Sequence, residues 1–210
     1  MRTRRLLRRI GAVGAIASTV AAARAAAPPT FDQRLSAALS TSRGTAVDHV
    51  VAAYTDIGSV YGLVGCSAVL AAGGEVRLGL RTAITGSVAW VAAQVTKDLV
   101  DRQRPYELGL AELLIEVPHG SSWPSGHSAV AGAMALTVGR RLRPLGKVGA
   151  ALVAAGVAAS RLHVGAHHAT DTIAGLAIGV LSAEATELLL DRFLPDIPED
   201  VLEGEAREAH

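Results

Sequence analysis

The sequence contains one cysteine, Cys66, so it has neither an intramolecular disulfide nor a cysteine-built zinc site. Aromatic residues are only 3% of the chain. No segment interleaves basic residues with stacking aromatics, which argues against a nucleic-acid partner. Charged residues stand at 19%, below the roughly 25% usual for soluble domains. Lysine occurs only at positions 97 and 147. The 20 basic and 19 acidic residues nearly cancel, so the balance points to no polyanionic partner. No alternating stretch long enough for a useful strand is present. What remains is apolar: 50% of residues are hydrophobic and mean hydropathy is +0.34. This excludes a disordered chain. An excess of Ala, Val, Leu and Gly over aromatics suits packed membrane helices, whose backbones approach closely where side chains are small.

The pattern is all-α, an integral membrane bundle of about six transmembrane helices in a single domain spanning residues 1–210. The apolar segments are Ile10–Ala23, Val47–Ala72, Leu78–Val95, Ser128–Gly139, Val148–Ala159 and Thr172–Ala183. Pro28 and Pro29 end the first, and Phe31–Ser40 has the pattern of a short amphipathic helix. Residues 1–27 read either as a retained N-terminal helix or as a signal-like segment, since arginines precede a short apolar run with Ala-x-Ala sites. Residues 192–210 form an acidic tail.

The polar residues flanking each of the last three segments stand 13 positions apart: His127 to Arg140, Lys147 to Ser160, Asp171 to Glu184. At about 1.5 Å per residue each covers roughly 20 Å, short of a hydrocarbon core of roughly 30 Å. The polar residues at one end therefore fall below the membrane surface, in a protein-lined pocket. Alternating chain direction collects Lys97, His127 and the stretch Ser160–Asp171 at that end. Buried ionisable groups in a membrane are costly, so such a cluster marks a functional site.

Its chemistry suits a phosphate. Lys97 and Arg104 flank a turn at Pro105. Trp123-Pro124-Ser125-Gly126-His127 opens an apolar run, and a helix start offers free N–H groups and a favourable dipole to an anion. His167 and Asp171 are four apart. A carboxylate bonded to one imidazole nitrogen fixes the tautomer and leaves the other nitrogen as nucleophile. Alone, each element has a plainer reading: an ordinary helix cap, interfacial anchors, or a metal site made by His163, His167 and Asp171. Gly165 weakens the metal reading by interrupting the helix, and the nearby cations would repel a metal. His49, His119, His168 and His210 read as loop or interface histidines, and Asp56 as a buried residue beside a polar neighbour. The loop Tyr106–Ser122 reads as a lid or interfacial helix.

Together the three blocks resemble the signatures of the type 2 phosphatidic acid phosphatase superfamily. Lys97 with Arg104-Pro105 is similar to the first, Pro124-Ser125-Gly126-His127 to the second, and Ser160-Arg161 with His167 and Asp171 to the third. At His168-Ala169 the sequence departs from relatives that carry an aromatic residue and a proline. The resemblance implies a six-helix membrane bundle that hydrolyses phosphomonoesters or diphosphates without metal or other cofactor. It also implies roles: Lys97, Arg104, Arg161, Ser125 and Gly126 bind phosphate, His167 is the nucleophile, Asp171 orients it, and His127 moves the proton.

The expected substrate is a lipid phosphate of the phosphatidic acid, phosphatidylglycerophosphate or polyprenyl type. A lipid-linked phosphotransferase with the same phosphohistidine is the alternative, and a silent binding or scaffold protein is a more distant one. Arginines at the N-terminus and at Arg140, Arg141 and Arg143 place those turns inside. The motif loops of this multi-pass cell-membrane protein then face the periplasm or cell exterior.

Overall fold

The computed structural model describes residues 2–25, 28–39 and 46–193. The Ala26-Ala27 end of the signal-like segment, Ser40 of the amphipathic stretch, and tail positions 194–210 lie outside them. Among the described residues there are eight α-helices and no strand: α1 (Arg2–Ala23), α2 (Thr30–Leu39), α3 (Ala46–Thr55), α4 (Val60–Ala72), α5 (Val76–Thr96), α6 (Gly126–Gly139), α7 (Pro144–His163) and α8 (Ala169–Phe193). All six apolar segments are helical, and the short amphipathic stretch forms α2.

The second segment departs from expectation. Val47–Ala72 is two helices, α3 and α4, bent by 68° across a 3-10 turn at Asp56–Gly58. Ser59 is extended (φ −77°, ψ 169°), and its side chain accepts from the Gly62 N–H at 3.1 Å, so a new helix starts there. Gly58 fixes where the bend sits. A Cβ at this residue would lie 2.6 Å from the His127 carbonyl oxygen and 2.7 Å from Val157 Cγ1. Hydropathy registers an apolar run but carries no information about a turn inside it.

Helix α6 is the axis of the bundle. It packs most extensively on α8, then on α5 and α7. Ser128, Ala129, Val130, Ala131, Gly132, Ala133 and Met134 are all buried, so the helix is enclosed on every side. Close approach to α8 depends on Gly175 and Gly179, which sit against the carbonyls of Ser125 and Ala129. Ala89 and Ala93 of α5 join Ala129, Ala133, Ile178 and Ala183 in the central core. Between α5 and α6 the Thr85 and Thr137 hydroxyls bond at 3.0 Å.

Helices α1, α7 and α8 are long and apolar enough to cross a membrane, and the α3–α4 pair would make a fourth if it counts as one span. Helix α6 has 14 residues, about 21 Å at 1.5 Å each. Helix α5 has 21 residues but includes Arg77, Arg81 and Gln94. Large apolar side chains nevertheless face outward on most of these helices. Examples are Leu7 and Ile10 on α1, Val69 on α4, Val88 and Val91 on α5, Leu152 on α7 and Leu189 on α8. Apolar surface of this extent marks a membrane or partner-facing molecule.

The chain direction brings the α5–α6 loop and the α7–α8 turn to one end. Ion pairs tie the other end: Arg8 and Arg9 to Glu184, Arg81 to Glu187 and Asp191, and Arg140 to Glu187.

Candidate active site

At the loop end, α6 is capped by Ser125, whose backbone is extended and whose hydroxyl accepts from the Ser128 N–H. Gly126 and His127 are the first residues of the helix, so their N–H groups have no acceptor within it. The Trp123-Pro124 peptide before it is cis. Ser125 is itself anchored, its N–H donating to the Asp171 carbonyl at 3.0 Å. This bond joins the second block directly to the third.

The cations converge here. Lys97 follows the end of α5, and its ammonium donates to the Ser121 carbonyl at 2.7 Å. Burial, with the nearby Arg104 guanidinium, pushes this ammonium down to about 8. Arg104 is buried and spends its donors on carbonyls: Ala166 at 2.9 Å, His119 at 3.1 Å, Gly120 at 3.1 Å and Ser121 at 3.2 Å. Arg161, on the last turn of α7, donates from Nη1 to the Thr55 hydroxyl at 3.0 Å, and its buried Nε has no partner among the described residues. His127 has the cations Arg161 and Lys97 and the His167 imidazole as neighbours. His127 and Arg161 line a cleft of about 640 Å³ together with Thr55, Asp56, Glu116 and His119.

His167 lies in the turn before α8, after Gly165 at φ +73°, a conformation that favours glycine. It is buried, and Nδ1 is 2.7 Å from the Ser122 carbonyl oxygen. A carbonyl can only accept, so Nδ1 carries the proton and Nε2 keeps its lone pair. Burial, reinforced by Arg161 and Arg104 and opposed by Asp171, pushes the His167 imidazolium down to about 3.

The structure brings together Lys97, Arg104, Ser125, Gly126, His127, Arg161, His167 and Asp171, but the dyad differs from its expected form. Asp171 Oδ2 stands 3.8 Å from His167 Nδ1 and accepts instead from the Ser122 hydroxyl at 2.6 Å and the His168 N–H at 2.8 Å. Its Oδ1 pairs with Arg102. The carboxylate therefore shapes the loop that carries the Ser122 carbonyl, and that carbonyl sets the tautomer. Four-residue spacing predicts a shared helical face, but His167 precedes the helix that contains Asp171.

Further expectations need correction. His163 bonds Asp48 of α3 at 2.7 Å, so it faces away from the His167–Asp171 pair. Asp56 is exposed at the cleft, because the bend carries it out of the helix run. His168 lies in the loop before α8, in keeping with its loop reading, but is fully buried, with its Nε2 3.2 Å from the Gln103 carbonyl. The loop between Tyr106 and Ser122 forms turns, not an interfacial helix. Sequence reasoning missed Arg102, Asp32 and Thr55. Asp32, fully buried on α2, pairs with Arg102 at 2.7 Å and accepts from the Thr170 N–H at 2.9 Å. An acid in the first turn of an amphipathic helix was a visible but nonspecific signal.

The loop end of the bundle thus gathers three cations, a helix N-terminus and two histidines. The chain belongs to the PAP2 superfamily, whose family profile matches residues 75–192. The fold is similar to the crystal structure of the first transmembrane PAP2-type phosphatidylglycerolphosphate phosphatase from Bacillus subtilis. That match has a TM-score of 0.74 and 20% identity, covering 90% of this chain and 99% of the other. It is also similar to Aquifex aeolicus LpxE, with a TM-score of 0.65 and 22% identity over 74% of this chain and 93% of that one. No curated protein sequence matches.

Proposed function

We propose that the protein is a membrane-embedded lipid phosphate phosphatase acting through a phosphohistidine. The observation that carries this reading is the His167 ring. Its Nδ1 is committed to the Ser122 carbonyl, leaving a neutral, unprotonated Nε2 within a group of buried cations. Family membership and the two phosphatase folds support the reading.

Lys97, Arg104 and Arg161, with Ser125 and the N–H groups opening α6, hold the phosphoryl oxygens. Positioning and charge stabilisation carry most of the catalysis in phosphoryl transfer. His167 Nε2 attacks phosphorus in line, a P–N bond forms, and the bond to the leaving oxygen breaks. His127 gives that oxygen a proton. Water then attacks the phosphohistidine and gives its proton to His127. Inorganic phosphate leaves and His167 is restored. Asp171 positions the loop beneath His167.

In this reading the chain crosses the membrane six times, with α5 and α6 completing the count. Helix α6, too short for the core, lies enclosed in protein. The basic turns face inward and the site opens to the periplasm or cell exterior. The substrate is a phosphatidic acid, phosphatidylglycerophosphate or polyprenyl type lipid whose tail remains in the bilayer. The lipid-linked phosphotransferase differs only in the second acceptor.

The test is phosphate release by detergent-purified protein from a panel of lipid phosphates, with EDTA present. Release that vanadate inhibits is expected. Dependence on added zinc or magnesium would sink the metal-free mechanism. Transfer of label to an added lipid, without free phosphate, would establish the transferase instead.

A further inference from the structure

A second cavity, of about 420 Å³, lies at the end of the bundle opposite the catalytic loops. Its walls are α6, α7 and α8. Helix α7 packs far less closely on α8 than α6 does, and the gap between them is the groove. Gly132 and Gly139 of α6 and Ala151 and Ala155 of α7 line it, so small side chains leave the space unfilled, and Val180 of α8 adds to the apolar lining. Its polar rim is entirely basic: Arg8, Arg140 and Lys147. Arg8 and Arg140 each reach a carboxylate, Glu184 at 2.7 Å and Glu187 at 3.0 Å. Lys147 is exposed and has no carboxylate partner among the described residues.

We infer that this groove binds one anionic glycerophospholipid, its headgroup phosphate on Lys147, at a rim where Arg140 and Arg8 are already paired with Glu187 and Glu184, and an acyl chain along the small-residue wall. Charge complementarity selects the occupant. A zwitterionic lipid brings a cation beside Lys147, the rim cation without a carboxylate partner among the described residues, whereas an anionic headgroup gains from it about as much as from one basic residue of other juxtamembrane clusters. A soluble anion would leave the apolar wall uncovered, and an uncharged apolar ligand would leave the rim unmatched. The groove faces the opposite end from His127 and His167, so its occupant is not the substrate in turnover. The proposal does not depend on the catalytic reading.

The experiment is native mass spectrometry of the full-length protein, delipidated and then offered phosphatidylglycerol or phosphatidylcholine with the same chains. Phosphatidylglycerol should be retained more strongly, and Lys147→Gln should cut that retention by about fivefold. Ala151 is exposed, so Ala151→Trp should fill the groove without disturbing the core and remove the bound lipid. Equal retention of the two lipids in the wild type would overturn the proposal. So would unchanged phosphatidylglycerol retention in Ala151→Trp, or its displacement by vanadate, which would put the lipid in the catalytic cleft.

Discussion

The two ends of the bundle use arginine in opposite ways. At the end closed by ion pairs, Arg8, Arg9, Arg81 and Arg140 meet Glu184, Glu187 and Asp191. At the loop end, Arg104 and Lys97 bond to backbone carbonyls, and Arg161 bonds to a hydroxyl. Of the carboxylates there, Asp171 and Asp32 are already paired with Arg102. A carbonyl orients a cation without cancelling its charge, whereas a carboxylate does both. The first arrangement holds helices together. The second keeps positive charge in place for an anion that arrives later.

That contrast can be broken most decisively at His167. Replacing it with alanine should abolish turnover and leave no acid-labile phosphoenzyme in a rapid-quench experiment with radioactive substrate. Labelled phosphoenzyme in that variant would give the nucleophilic role to another residue. His127→Ala should slow turnover most for poor leaving groups, because protonation matters less when the departing alkoxide is stable.

The arginines come next. Arg104→Met or Arg161→Met should lower kcat/KM by about 10²–10³-fold. Arg81→Met, at the paired end, should leave kcat/KM near wild type and lower thermal stability in detergent, by up to about 3 kcal/mol, since Arg140 still holds Glu187. Equal activity losses at both ends would erase the distinction.

Lys97 sharpens it through pH. Its ammonium is pushed down to about 8, so the free enzyme loses this charge as pH rises through that value. The profile of kcat/KM, which reports free-enzyme groups, should fall on its alkaline side near there. In Lys97→Arg the fall should move upward, because guanidinium stays charged. His167 is already neutral above about 3 and adds no limb in the working range. The smallest effect belongs to Thr55→Val. Arg161 loses its Nη1 partner, and a rise in KM of a few fold is expected, measured with kcat little changed.

The helices were readable from the sequence because each is an apolar run between charged breaks, and the eight proposed site residues because three blocks carry them with a fixed internal spacing. Three-dimensional departures were not. Nothing in Val47–Ala72 distinguishes a straight helix from one turned at Ser59, since Gly and Ser also serve inside membrane helices. The His167–Asp171 spacing suggested a direct hydrogen bond on one helical face, but His167 lies before the start of α8 and its Nδ1 stands 3.8 Å from the carboxylate. Arg102 and Asp32 stand 70 positions apart. A single acid and a single base at such separation give no sign that they meet until the chain is folded.

Gly58 touches no substrate in this scheme, yet it stands against the backbone of the residue assigned to move the proton. A methyl group there would have to displace both the opening turn of α6 and the Val157 side chain, and the first is an unyielding part of the bundle. In a saturation library scored for turnover, position 58 should therefore tolerate as little as position 127, while exposed Asp56 two residues earlier accepts substitution. The column that looks most like chemistry would then include a residue with no side chain to do any, since the constraint acts on the space it leaves vacant.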